Sequence, residues 1–162
     1  MNSWKNIRIG LSILTLALLS GGCGSGDPPD PMGNEIELQA RAQALINGME
    51  AELDGQFRVE AEGQRLRGEL DKLNLAIGTP VSFCLRKSSG TVALAAPVVM
   101  QSSGDELAQF ELNTENGQTV PTVVAGDTLE ARQGANASGT ADCGKPLLVS
   151  AVFQAEVNQP HH

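Results

Sequence analysis

Hydrophobic and polar residues alternate in short runs along most of the chain after position 35. In the clearest run, apolar residues of 57–61 alternate with charged ones, and residues 65–70 repeat the pattern after Gly63-Gln64. A period of two predicts strands that bury one face. Because glycine is favoured at the first position of a type II′ loop, we expect a two-residue hairpin turn at Gly63-Gln64.

The predicted hairpin implies a register in which the outward pairs carry opposite charges: Glu62 opposite Arg65, Glu60 opposite Arg67, and Arg58 opposite Glu69. The inward pairs are Ala61 with Leu66, Val59 with Gly68, and Phe57 with Leu70. Such pairs contribute about 0.2–1 kcal/mol each relative to Ala–Ala. We interpret Glu60 and Glu62 as a solvated charge ladder, not a catalytic pair, because exposed and paired carboxylates seldom have raised pKa values.

Residues 36–44 alternate equally well. Ile36, Leu38 and three alanines fall on one face, and charged or amide residues fall on the other. The pattern predicts a half-buried strand, although the Ala, Gln, Glu and Arg content also suits a helix. Asn47-Gly48 predicts a turn directly after it.

A further alternating run contains Val81, Phe83 and Leu85 on one face, so Cys84 is expected to point away from the Phe83 face. The apolar run 91–100 contains Pro97, which predicts an edge strand or a bulge. Strands are also predicted at 108–112, 128–132 and 147–157, with turns at 88–90 and 116–117 and a surface loop at 133–144. Seven or eight short strands indicate an all-β fold, an antiparallel sandwich of immunoglobulin-like architecture, with the four Phe in its core.

The N-terminal segment has the properties of an export signal. Lys5 and Arg8 precede an uncharged apolar run over 9–19. That run is too short to cross a bilayer core, which needs about 20 residues, but it has the length of a signal-peptide hydrophobic region. Cys23 follows the small residues at 20–22.

The segment Leu19-Ser20-Gly21-Gly22-Cys23 resembles the lipobox of bacterial lipoproteins, with the leucine one position further from the cysteine than usual. The resemblance implies cleavage after residue 22, acylation of Cys23 with palmitate-type chains, and attachment to the membrane through them. Gly24 follows the cysteine where aspartate favours the inner membrane in that family, which implies the outer membrane of the cell envelope. Ordinary secretion with Cys23 as a plain thiol is the alternative.

The chain is predicted to have three parts: a signal peptide at 1–22, a lipidated cysteine and flexible Gly/Pro tether at 23–34, and one sandwich domain at 35–158. The formal net charge is −8, and cleavage would remove two cations. An acidic surface repels phosphate backbones, so we expect no nucleic-acid partner.

Cys84 and Cys143 form an even pair once Cys23 is assigned to lipid. In an exported protein this predicts a disulfide, with two separate buried thiols as the alternative. Closing so long a loop would contribute about 4 kcal/mol through chain entropy. Because Cys84 points away from the Phe83 face, the bond is expected to staple the outer face or a strand end.

Composition excludes several kinds of chemistry. The two His are the last two residues, there is no Tyr, and the one Trp lies in the predicted signal peptide. The domain therefore has no imidazole for a base or a zinc site, and no Trp or Tyr platform for sugars or bases. We expect no cofactor. Weaker candidates are Ser-Lys chemistry through Lys72, Lys87 or Lys145, and a calcium site drawn from Asp105, Glu106, Asp127 and Asp142.

Residues 116–127 are similar to a segment of small bacterial surface proteins, a resemblance that implies a β fold without a known activity. We expect a non-catalytic, lipid-anchored envelope protein that binds another envelope protein or has a structural role. Two alternatives stay open: an inhibitor of a periplasmic enzyme acting through the loop 133–143, and a hydrolase using carboxylates or Ser-Lys.

Overall fold

The computed structural model describes residues 36–101 and 107–155. They contain nine strands and one short 3₁₀ helix. The strands are β1 (Ile36–Ile46), β2 (Met49–Val59), β3 (Gln64–Asp71), β4 (Pro80–Arg86), β5 (Val92–Val99), β6 (Ala108–Asn113), β7 (Thr128–Gln133), β8 (Leu147–Val152) and β9 (Gln154–Ala155), and the 3₁₀ helix is Thr114–Asn116. Cys23, the predicted tether and the boundaries at 35 and 158 lie outside the described residues.

The strands form two antiparallel sheets, one of five strands in the order β6-β3-β2-β1-β9 and one of four in the order β5-β4-β7-β8. The predicted all-β antiparallel sandwich is confirmed. The strand number exceeds seven or eight because the predicted last strand divides at Phe153. β8 pairs with β7 in one sheet, whereas β9 pairs with β1 in the other.

The alternation in 36–44 belongs to a strand and not to a helix. β1 pairs along its whole length with β2, from Ile36 opposite Val59 to Ile46 opposite Met49. Asn47 and Gly48 both have positive φ, at 49° and 84°. Two consecutive residues in that region make the tight turn whose twist suits a hairpin, and asparagine followed by glycine adopts it at little cost.

The predicted register of the next hairpin is wrong by four residues. Glu60 and Gly63 exchange backbone hydrogen bonds of 2.9 and 3.3 Å, so the turn is Ala61-Glu62 and not Gly63-Gln64. Phe57 lies opposite Leu66, and Arg58 lies opposite Arg65. Because the shift is an even number, each residue keeps its predicted face, but the expected charge ladder of Glu60 and Glu62 does not form.

Two glycines explain the observed register. Gly55 and Gly68 lie directly opposite each other on the inner face of the five-stranded sheet. A Cβ on Gly55 would approach Leu129 Cδ2 to 2.8 Å and Phe153 Cζ to 3.2 Å, and a Cβ on Gly68 would overlap the ring of Phe110. The pair leaves a notch that side chains of the facing sheet and of β6 fill. The predicted register opposed Val59 to Gly68 and would have closed it.

The core lies between the two sheets. All four Phe are buried, as predicted, with Phe57, Phe83 and Phe153 at 0–1% exposure and Phe110 at 8%. The rings of Phe83 and Phe110 lie 5.0 Å apart in a tilted arrangement, one from each sheet. Pro97 lies on the edge strand β5, in agreement with its predicted position.

We distinguish the two ends of the sandwich as the entry end and the far end. The entry end contains Ile36, where the described chain begins. The far end contains the Asn47-Gly48 turn, the connection 72–79 and the start of β6. Asn47 and Asn74 exchange side-chain to backbone hydrogen bonds of 2.9 Å there, and Met100 donates to the Thr79 carbonyl at 3.0 Å.

Filling the glycine notch tests this account. We expect Gly68→Ala to lower the free energy of unfolding by about 1–3 kcal/mol, because the new methyl group must displace a buried ring. Urea titration measures the change. Ser150→Ala, at an exposed position of β8, is the control and should stay within about 0.5 kcal/mol of wild type. Equal stability of the two variants would contradict the role given to the notch.

Candidate functional site

The loop 134–146, which we term the strap, is attached to the outer face of the four-stranded sheet at β4 and β7. The sulfur atoms of Cys84 and Cys143 lie 1.96 Å apart and their Cα atoms 6.0 Å apart, as the predicted disulfide requires. Phe83 belongs to the core, whereas Cys84 is joined to the strap. The disulfide therefore staples the outer face, as the alternation of β4 indicated.

Hydrogen bonds hold the strap at both ends. The Ser82 hydroxyl donates to the Gly134 carbonyl at 2.6 Å and accepts from the Asp142 amide at 3.0 Å. Arg132 donates from Nη1 to the Lys145 carbonyl at 2.6 Å. Ser82 is fully buried, so its hydroxyl serves the loop and is not presented to a substrate.

Glu130 lies on β7 directly opposite Cys84, between two arginines. Arg86 Nε lies 2.9 Å from Oε1, and Arg132 Nε lies 3.0 Å from Oε2. Burial alone would raise the pKa of Glu130, but hydrogen bonds from Arg86 and Arg132 outweigh it and lower the pKa. A carboxylate held ionised by two guanidinium groups is a structural anchor and a poor general acid.

Asp127 is a second buried carboxylate with its partners supplied by the fold. Its oxygens accept from the Ser88 amide at 3.1 Å, the Val124 amide at 2.9 Å and the Lys87 ammonium. Burial opposes ionisation, but these donors prevail and lower the pKa of Asp127. Lys87 also donates to the Thr122 carbonyl at 2.9 Å, so the pair joins the connection after β4 to the connection before β7 at the entry end.

The structure describes all three lysines considered for Ser-Lys chemistry and two of the four acidic residues considered for a calcium site. Lys72 Nζ is 3.2 Å from Glu52 and Lys145 Nζ is 3.8 Å from Asp142, so all three candidate lysines are paired with carboxylates. In Ser-Lys chemistry the lysine serves a serine hydroxyl, whereas these three ammonium groups contact carboxylates. Of the calcium candidates, Asp105 and Glu106 lie outside the described residues. Within 36–101 and 107–155, no group of three or more His, Cys, Asp or Glu could hold a metal ion.

The true register brings together acidic residues that sequence reasoning kept apart. On the outer face of the five-stranded sheet, Glu52 lies opposite Asp71, and Asp54 lies opposite Glu69. Like charges in direct opposition are destabilising. The buried Oδ1 of Asp71 has no hydrogen-bond partner in the structure. Burial raises the pKa of Asp71, the ammonium of Lys72 opposes the rise, and the charges of Glu52 and Glu69 add to it.

An apolar cleft at the far end was also missed. It has a volume of about 390 Å³ and wraps the end of β5 between the strap and β6. Among the described residues its lining carries no charge and consists of Pro80, Pro97, Val98, Val99, Gln101, Gln109, Ala135 and Gly139. The uncharged run 91–100 was the available signal, but only the fold brings it next to Gln109 and Gly139.

The loop proposed for an inhibitor is firmly built. Residues 136–140 at its tip are exposed. The Asn136 side-chain oxygen accepts from the Ser138 and Thr140 amides at 3.0 and 2.9 Å. The asparagine thus closes the turn on itself, which is the usual role of this residue in tight loops.

Comparisons with known proteins add no family: no family model, curated protein or solved structure matches the chain. In the described part of the chain, no helix is long and apolar enough to cross a bilayer.

Removing the disulfide should loosen the strap and destabilise the domain. We expect the double variant Cys84→Ala/Cys143→Ala to lose about 2–4 kcal/mol in the free energy of unfolding, since the unfolded chain regains the entropy of a long open loop. Dithiothreitol should have the same effect on wild type and none on the variant. An unfolding midpoint that reduction leaves unchanged would count against the bond.

Glu130 should make stability depend on acid pH. Its pKa is lowered in the folded state, so its contribution is present above the unfolded value near 4.5 and is lost as pH falls through the folded value. Glu130→Gln should therefore lower the free energy of unfolding at pH 7 by roughly 1–3 kcal/mol. The two proteins should converge at low pH in urea titrations.

Asp71→Asn is the matched variant, and we expect it to change the free energy of unfolding in the opposite direction to Glu130→Gln. Because the folded pKa of Asp71 is raised, its ionised form is unfavourable in the folded state, and stability is lost as pH rises through the folded value. The asparagine variant should be more stable than wild type at pH 7, with the difference disappearing in acid. A destabilised Asp71→Asn at pH 7 would refute this reading of the acidic pairs.

Proposed function

We propose that the protein is a lipid-anchored, non-catalytic binding module of the bacterial cell envelope. The observation that carries the proposal is the contrast between two parts of the surface. The buried carboxylates Glu130 and Asp127 are held ionised by cations of the fold. The residues that the structure describes around the apolar cleft at the far end are all uncharged. An uncharged cleft of this kind supports binding, and carboxylates held by cations are poor acid–base groups.

The anchor is inferred from the sequence around Cys23, which resembles a lipobox. One acyl chain alone gives only marginal membrane binding, whereas two or more give durable attachment. The lipoprotein pattern supplies two or three chains on one cysteine. The attached domain would then need only a binding surface to act as an envelope adaptor.

Inhibition of an envelope enzyme is the second candidate within the same class. The exposed tip 136–140 favours it, because Asn136 and the nearby disulfide brace the tip before binding. Preorganised loops bind with a smaller loss of conformational entropy than mobile ones. In this version the strap contacts the target enzyme, and the cleft has no part in recognition.

Acylation of Cys23 is the direct test of the anchor. Expressed in a bacterium that processes lipoproteins, the wild-type chain should incorporate labelled palmitate and sediment with membranes. Cys23→Ser should do neither, because the thiol is the acceptor. Ser25→Ala is the neighbouring control and should behave like wild type. If mass spectrometry of the membrane fraction finds the Cys23 thiol unmodified, the anchoring proposal fails.

A further inference from the structure

We propose that the apolar cleft at the end of β5 binds an extended, uncharged peptide segment of a partner protein. The inference rests on the proposed binding function and specifies the chemistry of the partner. Three features support it: the cleft lining, the free edge of β5, and the position of the cleft relative to the point where the chain enters the domain.

The cleft is apolar with two polar groups of the right kind. Pro97, Val98 and Val99 give it an apolar wall, and Gln101 and Gln109 supply side-chain amides. An amide offers both a donor and an acceptor, which matches the backbone of a peptide. A charged ligand group would lose water without gaining a charged partner among the described lining residues. Its volume of about 390 Å³ accommodates a few side chains.

β5 provides the adjacent main-chain contacts. It pairs with β4 on one side and has no other strand partner among the described residues. Its eight residues, Val-Ala-Leu-Ala-Ala-Pro-Val-Val, carry no charge. Natural edge strands usually carry charges that prevent pairing, and an uncharged edge is the surface that strand addition uses. The other edge strand of this sheet, β8, packs beside β1, and its chain continues into β9.

Charge and position favour a peptide over a second copy or a lipid surface. The chain has a formal net charge of −8, so two copies repel each other, as do the chain and anionic headgroups. Pro97 lacks an N–H, so the row of donors along this edge is interrupted, which favours a short added strand over a long one from a second copy. The described chain begins at Ile36, at the opposite end of β1 from the far end, about 33 Å away along the strand.

The test selects a phage library of random octapeptides on the full-length, natively processed protein in detergent. We expect enrichment of uncharged peptides rich in β-branched residues, with binding measured by fluorescence anisotropy of the synthetic peptide. Val99→Asp should weaken binding by on the order of tenfold or more, since it places a charge in the cleft. The control is Val152→Asp on β8, at 48% exposure against 53% for Val99, which should bind like wild type.

Several outcomes would overturn the inference. Enriched peptides that are charged, or that bind Val99→Asp as tightly as wild type, would place recognition elsewhere. A wild-type dimer in sedimentation equilibrium that Val99→Asp dissociates would assign the surface to a second copy, and Val99-dependent binding to phosphatidylcholine vesicles would assign it to lipid. If Val99→Asp fails to fold by circular dichroism, Val99→Thr and Gln109→Ala replace it. A library without enrichment refutes the cleft, whereas Cys23 acylation tests the anchor separately.

Discussion

Close contact between the two sheets at one point, the notch over Gly55 and Gly68, determines how the five-stranded sheet is built. Any side chain there would meet Leu129, Phe153 or the Phe110 ring. The glycines must therefore lie opposite each other, and this requirement fixes the register of β2 and β3. Once that register is set, the outer face follows: Arg58 lies opposite Arg65 and turns to Glu37, 3.0 Å away, while Arg65 turns to Glu111 at 2.6 Å. Packing thus decides which charges meet, although each charged pair exposed to solvent contributes little energy of its own.

The four-stranded sheet is organised from its outside as well as from the core. Cys84, Ser82 and Arg132 tie the strap to the sheet, and Glu130 lies beneath it between Arg86 and Arg132. Such buried carboxylates are costly unless their partners are complete, and here the loop and the ion pairs form one connected network. The network explains why β4 is buried on both faces although it alternates apolar and polar residues. The strap tip and the end of β5 remain exposed on this side, as do Leu147 and Val152 of β8.

Local features could be predicted from the sequence, and non-local ones could not. Asn47-Gly48 needs only its own backbone preferences, and the alternation of β1 needs only its own faces, so both were predicted. The cysteine pair followed from counting and from the expectation that the chain is exported. The hairpin register depended on Phe110, Leu129 and Phe153, which lie far away in sequence, and an even shift left the alternation unchanged. The same limit hid the cleft, because Val99, Gln109 and Gly139 share no motif and meet only in the folded chain.

Charge is distributed unevenly between the faces of the two sheets and the edge strand β5. Acidic and basic residues occur on both faces of the domain, even where they oppose like charges, as Glu52 does Asp71. Yet the edge strand β5, where charge would protect against unwanted pairing, has none. Pro97 gives that edge partial protection and leaves the Val98-Val99 end beside the cleft accessible. An edge that is interrupted midway but open at its end suits a short peptide better than a long strand of another sheet. Recognition of a peptide segment therefore accounts for this surface more completely than self-association does.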